Sequence, residues 1–290
     1  MRLLLLAGLL LATAAPAQQQ VADPDADTKV ARPAFAEGQG PLVAIDQGHG
    51  EFHTATGRYA PFARVLMADG YRLGSFDARF SADTLKDVGV LVIANATARP
   101  PFTADEIEAL HGWVTGGGAL LLIADHSPFG AATNPLAERF GIRFDNGFAF
   151  QKQRGPEAFT RRSGMLADSP LTAARDGVKA IDIVYAFTGT AFTAPATATP
   201  VMRLGQGWSI LSPKVPWQFE GAPSRPSTDA DLRGAILQVR KGRLAVFGEA
   251  AMFSAQRAAG GGRMGFNFPK ATQNKQFLLN TLHWLSRTGG

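Results

Sequence analysis

The stretch that decides the fold is VGVLVIANATARPPFTADEIEALHGWVTGGGALLLIADHS, residues 88–127. It contains two short, continuous apolar runs, VGVLVIA and ALLLIA, which are typical of strands covered on both faces. Between them, Thr103 and Glu106 have the spacing of a capping box that opens a helix, and three glycines at 116–118 end it. A strand, a helix and a strand in this order predict a parallel βαβ unit.

The same alternation extends on both sides of this unit. Before it, an apolar run at 42–45 precedes a helical pattern at 58–68. After it, two apolar strands around a turn at 240–242 predict a hairpin, and a last amphipathic helix begins near Asn274 as its cap. We therefore expect one α/β domain over residues 41–288, with a parallel sheet covered by helices on both faces.

The middle of the chain, residues 144–227, does not follow this pattern. It is rich in Thr, Pro, Gly and Phe, and it has only short strand-like runs. We predict an irregular β-rich insertion or an extension of the sheet there.

The first residues, 1–17, have the form of a secretory signal peptide. Arg2 precedes a short apolar run, and Ala15 and Ala17 form a small-x-small cleavage site. The run is shorter than the roughly 20 residues that span a bilayer core, so we expect no stable membrane anchor after cleavage. These features predict export to the periplasm or the outside of the cell, with a flexible N-terminal tail at 18–40.

Composition excludes several classes of function. The chain has no cysteine, which excludes disulfides, thiolate metal sites and a cysteine nucleophile. Its formal net charge of +5 is modest for 290 residues, and Lys and Arg are scattered, so we expect no nucleic-acid binding.

Unusual polar residues follow the predicted strands. The loop DQGHGEFH, residues 46–53, follows the first strand, Asn95 follows a later one, DHS at 125–127 follows the next, and Glu249 follows the last strong strand. In an open α/β sheet, ligands bind beyond the carboxyl ends of the strands. We therefore expect these loops to meet at one pocket for a small polar or carbohydrate-like ligand.

Four of these polar residues are candidate metal ligands: Asp46, His49, His53 and His126. The loop is not a zinc-protease helix, because glycines flank His49 and Glu51 lies one place too late for that motif. A set of imidazoles and a carboxylate suits Zn, Mn or Fe. Hydrogen bonding to a ligand, or to the loop's own backbone, is the alternative.

Asp125, His126 and Glu249 are the candidate catalytic residues. Adjacent residues of an extended chain point to opposite faces, so Asp125, His126 and Ser127 do not form a catalytic triad with one another. His126 is a candidate general base or ligand, with Glu249 or Asp125 as the acid–base partner. The alternative for Glu249 is a structural role, bonded to backbone amides of the following turn.

Four segments resemble a family of exported bacterial proteins that have a class I glutamine amidotransferase-like fold. They are GHGEFHTATGRYAPFARVL at 48–66, IADHSPFG at 123–130, FGEAAMFSAQ at 247–256 and NKQFLLNTLHWL at 274–285. The resemblance implies a flavodoxin-like parallel sheet. Glutamine amidotransferases of this fold use a cysteine, which this chain lacks, so the resemblance does not imply glutaminase activity.

Two functions are consistent with these observations. The first is an exported, hydrolase-like enzyme, with or without an assisting metal, that acts on a carbohydrate, a cell-envelope component or another small polar substrate. The second is a non-catalytic ligand- or protein-binding domain that keeps a polar pocket. Residue patterns alone do not decide whether the chain is an enzyme.

Overall fold

The computed structural model of the chain describes residues 20–151, 155–175 and 177–288. The predicted signal peptide, 1–17, lies outside these residues. No helix of the described ranges is long and apolar enough to cross a membrane.

The chain alternates strands and helices in its first half and is mainly β-structure in its second half. The described strands are β1 (Val21–Ala22), β2 (Leu42–Asp46), β3 (Arg72–Phe76), β4 (Val90–Ala94), β5 (Ala119–Ile123), β6 (Arg143–Phe144), β7 (Phe148–Gln151), β8 (Glu157–Thr160), β9 (Ile183–Ala186), β10 (Phe192–Thr193), β11 (Thr199–Arg203), β12 (Trp208–Leu211), β13 (Ser224–Pro226), β14 (Leu232–Val239), β15 (Gly242–Phe247), β16 (Ala255–Arg257) and β17 (Arg263–Gly265). The described α-helices are α1 (Ala60–Ala68), α2 (Ala82–Leu85), α3 (Ala104–Gly116), α4 (Phe129–Ala137) and α5 (Asn274–Ser286).

A nine-stranded sheet forms the centre of the domain, in the order β3-β2-β4-β5-β15-β14-β10-β6, with β11 also paired to β14. The first five strands of this order are parallel, as the βαβ pattern predicts. The sheet becomes mixed at β14, because the tight turn at 240–241 joins β14 and β15 as an antiparallel hairpin.

Both faces of the parallel strands are buried, which explains their continuous apolar sequence. Val90 and Val92 of β4 pack in one core with helices α1 and α5. Leu91 and Ile93 of the same strand pack in a second core with α3 and α4. Side chains that alternate across a pleated strand thus meet apolar helices on either side.

The middle region, 144–227, both extends the central sheet and forms smaller sheets of its own. Strands β6, β10 and β11 extend the central sheet, while β7, β12 and β13 form a separate three-stranded sheet and β8 pairs with β9. This agrees with the prediction of β-rich structure there.

The described part of the predicted N-terminal tail lies against the domain. Strand β1 pairs with β16, and the ring of Phe35 makes an edge contact with that of Tyr71 at a centroid distance of 5.0 Å. The Ala34 amide donates to the buried carboxylate of Asp69. Sequence patterning missed these contacts because the segment has no apolar period of its own.

Candidate functional site

A cavity of about 410 Å³ opens where β2, β4, β5 and β15 end. The loops that follow these four strands supply five of its polar lining residues, His53, Asn95, Asp125, His126 and Glu249. The structure therefore brings these five residues together at one edge of the sheet, while Asp46 and His49, which were expected to join them, lie outside the cavity lining. The order of the strands reverses between β2 and β4, which is the crevice where ligands bind in open α/β sheets.

Asn95 connects the residues at the floor of the cavity. Its amide nitrogen donates to Asp125 Oδ2 at 2.7 Å and to His53 Nδ1 at 3.3 Å, and its Oδ1 accepts from the Asp125 amide at 2.8 Å. Its φ of 59° lies in the left-handed region, where asparagine is among the few tolerated side chains. Sequence reasoning noted Asn95 after its strand but did not assign this linking role.

Asp125 is the acidic group whose charge changes near neutral pH. Burial raises its pKa to about 7, although the hydrogen bond from Asn95 favours the ionised form. The second oxygen, Oδ1, is buried and accepts no side-chain hydrogen bond from the described residues, while the Ala250 backbone amide also favours the ionised carboxyl. The residue itself lines the cavity.

Glu249 has both a structural and an electrostatic role. Its two carboxyl oxygens accept from the backbone amides of Ala251 and Met252, at 2.8 and 2.9 Å. Glu249 therefore has the structural role of binding the backbone amides of the following turn, which was the alternative expected from the sequence. It also lines the cavity. Burial and the nearby Asp125 carboxyl raise the pKa of Glu249 well above its usual value.

His126 is a neutral imidazole held by aromatic rings. Its Nδ1 lies 2.9 Å from the Ser127 carbonyl oxygen, which can only accept, so the proton is on Nδ1 and Nε2 carries a lone pair. The ring stacks on Phe148 at 4.4 Å and meets the edge of Trp217 at 4.7 Å. Burial lowers the pKa of His126 to about 4.

His53 is fully engaged by protein groups. Its Nδ1 faces the Asn95 amide, and its Nε2 lies 3.3 Å from the Gln256 amide nitrogen. A neutral imidazole carries one proton, so Nε2–H requires an acceptor, and Gln256 Oε1 is a buried oxygen without a described partner. A 180° rotation of the Gln256 amide satisfies both groups. Burial lowers the pKa of His53 to about 3, which keeps the ring neutral.

His49 belongs to a different, buried polar group. Its Nδ1 lies 2.8 Å from Asp46 Oδ2, and its Nε2 lies 3.3 Å from Glu106 Oε1. Its ring stacks on Phe102 at 4.2 Å. The structure thus divides the candidate metal set: His53 and His126 line the cavity, whereas Asp46 and His49 do not.

Asp46, His49 and Glu51 together form a buried group that could hold a metal ion. One potential ligand atom from each of the three lies within 4.8 Å of the other two. Burial and the neighbouring Asp46 carboxylate raise the pKa of Glu51 to about 9. Sequence reasoning set Glu51 aside because its distance along the chain from His49 did not fit a zinc-protease helix. In a loop, side chains can converge without the regular spacing of a helix.

The outer part of the cavity is apolar and aromatic. Phe52 and Phe129 meet edge to face at 5.2 Å, and the Arg58 guanidinium lies 4.8 Å from the centre of the Phe52 ring. Trp217 and Val215, from the middle region, complete the wall. No motif in the sequence indicates these two residues, because the loop that carries them reaches the cavity only through the folding of 144–227.

No protein-family model matches this chain, and no curated protein matches it either. Among solved structures, the N-terminal domain of mmIFT52 is similar, with a TM-score of 0.59 and 17% identity over 84% of this chain and 97% of that one. Cytoplasmic protein STM3548 from Salmonella typhimurium is similar with a TM-score of 0.52 and 15% identity, over 84% of this chain and 98% of that one. A ThuA-like protein from Bacteroides uniformis superposes with a TM-score of 0.46 and 14% identity, over 88% and 93% of the two chains. At these identities the likeness to the first two structures shows a shared α/β fold and nothing of the reaction.

Proposed function

We propose that this protein is an exported hydrolase-like enzyme that cleaves a small polar substrate, such as a carbohydrate or cell-envelope fragment, in the cavity. The observation that carries the proposal is the meeting of the Asp125 and Glu249 carboxyls with His126 in the lining of one cavity. A carboxyl whose pKa is about 7, beside a second carboxyl whose pKa is raised further, is a typical acid–base arrangement.

In this reaction, ionised Asp125 takes a proton from a water molecule, whose oxygen bonds to the substrate. The bond to the leaving group breaks, and Glu249 gives that group its proton. His126 Nε2 accepts a hydrogen bond from a substrate hydroxyl, and the Trp217 ring supports an apolar or sugar face.

Zn, Mn or Fe does not belong to the cavity in this proposal. Both ring nitrogens of His53 face protein amides, and His49 lies outside the cavity lining. A divalent cation instead belongs with the buried group of Asp46, His49 and Glu51.

The finer fold assignment is also a proposal. The parallel strands follow the order β3-β2-β4-β5-β15, which is the 2-1-3-4-5 order of flavodoxin-like sheets. This order supports the glutamine amidotransferase-like fold that the sequence segments suggest.

The test is hydrolysis of a panel of aryl glycosides, aryl esters and cell-wall oligosaccharides by the untagged chain. We expect turnover of at least one class, and a loss of about 10²–10⁴-fold in kcat for Asp125→Asn with little change in KM. Glu108→Gln, on the exposed face of α3, is the control and should keep full activity. Equal rates for Asp125→Asn and the unaltered chain would overturn the proposal.

The second candidate is a non-catalytic binding domain, and one observation favours it: both Glu249 oxygens are already held by backbone amides. A binding domain would turn over none of the panel, yet saccharides would raise its Tm. Trp217→Ala would then abolish that rise.

A further inference from the structure

We propose that Asp46, His49 and Glu51 bind one divalent transition-metal cation in a site separate from the cavity. Asp46 is the last residue of β2, and the other two lie in the loop that follows it. All three are buried, and one potential ligand atom from each lies within 4.8 Å of the others. A pair of carboxylates and an imidazole at such distances can share an ion with only small side-chain movements.

One atom in this group lacks a partner. Glu51 is 7% exposed, and its buried Oε1 receives no hydrogen bond from any described residue. The other oxygen, Oε2, accepts from the His49 amide at 3.0 Å, which keeps the carboxyl facing the group. In the metal-free protein the Glu51 carboxyl holds a proton that it shares with Asp46, and a divalent cation would replace that proton.

The backbone orients Asp46 in the same way. Its Oδ1 accepts from the Gly48 amide at 3.1 Å, which leaves Oδ2 beside His49 Nδ1. Two carboxylates and one imidazole therefore face each other in a site with no described lysine or arginine bonded to Asp46 or Glu51. A divalent cation would displace the protons of the Glu51 carboxyl and of His49 Nδ1 and then balance the charge of the two carboxylates.

His49 has the outer partner that metal-binding histidines usually have. Its Nε2 faces Glu106, whose Oε2 accepts from the Thr103 amide and hydroxyl and from Arg79 Nη1, at 3.0, 2.7 and 3.0 Å. A carboxylate that accepts from one ring nitrogen fixes the tautomer and leaves the other nitrogen for the ion. Binding then releases the proton that Nδ1 shares with Asp46 in the free protein.

The ligand set indicates the class of ion. One imidazole nitrogen with two carboxylate oxygens suits Zn²⁺, Mn²⁺ or Fe²⁺, whereas Ca²⁺ and Mg²⁺ prefer oxygen ligands alone. The ion would fasten the 47–53 loop to the end of β2. That loop carries Phe52 and His53 into the cavity, so the ion would act on the cavity by position and not by chemistry.

The experiment is metal analysis and thermal unfolding of the untagged chain, first stripped with EDTA and then supplied with Zn²⁺ or Mn²⁺ alone. We expect close to one ion per chain and a Tm rise of roughly 5–10 °C at about 100 times Kd. Glu51→Gln keeps the size of the side chain and should lose most of this rise. Glu37→Gln, exposed, and Glu249→Gln, in the cavity, should retain it.

A second measurement covers the case in which Glu51→Gln does not fold. Co²⁺ added to the stripped, unaltered chain should give visible d–d absorption that Zn²⁺ abolishes. The absence of this absorption, or substoichiometric metal with no shift in Tm, would overturn the proposal. So would an equal Tm rise in folded Glu51→Gln. None of these outcomes depends on hydrolysis, so the metal site and the proposed enzyme can fail separately.

Discussion

Asp125 shows how a single buried carboxyl can be held ready for proton transfer. Asn95 fixes one oxygen, and the Glu249 carboxyl, whose pKa is raised well above its usual value, lies close enough for the two groups to interact. The two carboxyls titrate as a pair, so a measured midpoint belongs to both. Burial is the common cause, because it disfavours the charged form of each.

The pKa of Asp125 makes stability depend on pH. Its folded value of about 7 exceeds the ordinary 3.8, so the folded protein holds this proton more tightly than the unfolded chain does. The stability that this group contributes is complete below about pH 4 and is lost as pH rises through about 7. Asp125→Asn cannot ionise at this position and should not lose this stability. We therefore expect the Tm of the variant, relative to that of the unaltered chain, to increase as pH rises from 4 to 7. Parallel Tm curves across that range would contradict the assignment.

Asp125 should also shape the pH dependence of hydrolysis. Because its ionised form is the proposed base, kcat/KM should rise with pH to a plateau above about 7. A fall is expected only at higher pH, where Glu249 loses its proton. A rate measured from pH 4 to 10 checks this, and a rising limb near pH 4 would assign the base elsewhere.

Asn95 should be worth more to stability than its size suggests. Asn95→Ala removes the bonds to Asp125 and His53 and places alanine at a φ of 59°, so we expect a loss of about 2–4 kcal/mol in unfolding free energy. Urea denaturation measures it. Asn95→Gly is the matched control, because glycine loses the same bonds but relieves the backbone. The difference between the two variants reports the strain of alanine, less the extra conformational entropy that glycine gives the unfolded chain.

At the scale of elements, the βαβ unit is where sequence and structure agree most closely. The capping box of Thr103 and Glu106 is present, and α3 ends at Gly116. These signals are local, since the residues that cap a helix are its own neighbours. The last helix differs: Asn274 is not its cap, because the side chain bonds to the backbone of Tyr185 and Met252 instead. Partners so far away in the chain leave no local pattern.

The capping box gives a prediction for α3. Thr103→Ala should lower the unfolding free energy by about 1 kcal/mol, because the Glu106 amide loses its acceptor. Thr103→Ser, which keeps the hydroxyl, should restore most of it. The same urea titration measures both, and equal loss in the two variants would show that the threonine methyl, not the cap, matters.

At the scale of the whole molecule, sequence reasoning located the edge of the sheet where the polar residues lie. It did not predict that these residues divide between the cavity and a separate buried group. It placed His53, Asp125, His126 and Glu249 at one rim because strand ends are readable from apolar runs. It could not predict that His49 and His53 belong to different groups, since the path of the four-residue loop segment between them is not readable from the sequence. Nor could it find Trp217, whose place depends on strands far along the chain.

The pairing of β1 with β16 has a consequence for the order of synthesis. Val21 lies opposite Arg257, and the Asp23 amide donates to the Ala255 carbonyl oxygen. The first described strand therefore pairs with a strand that is synthesised much later. A nascent chain halted before residue 255 has nothing for this strand to join. Such a contact is among the most distant that a polypeptide of this length can form, and it closes late. The contact between β1 and β16 therefore forms only after residue 257 has been synthesised, so docking of the first described strand is a late step in folding.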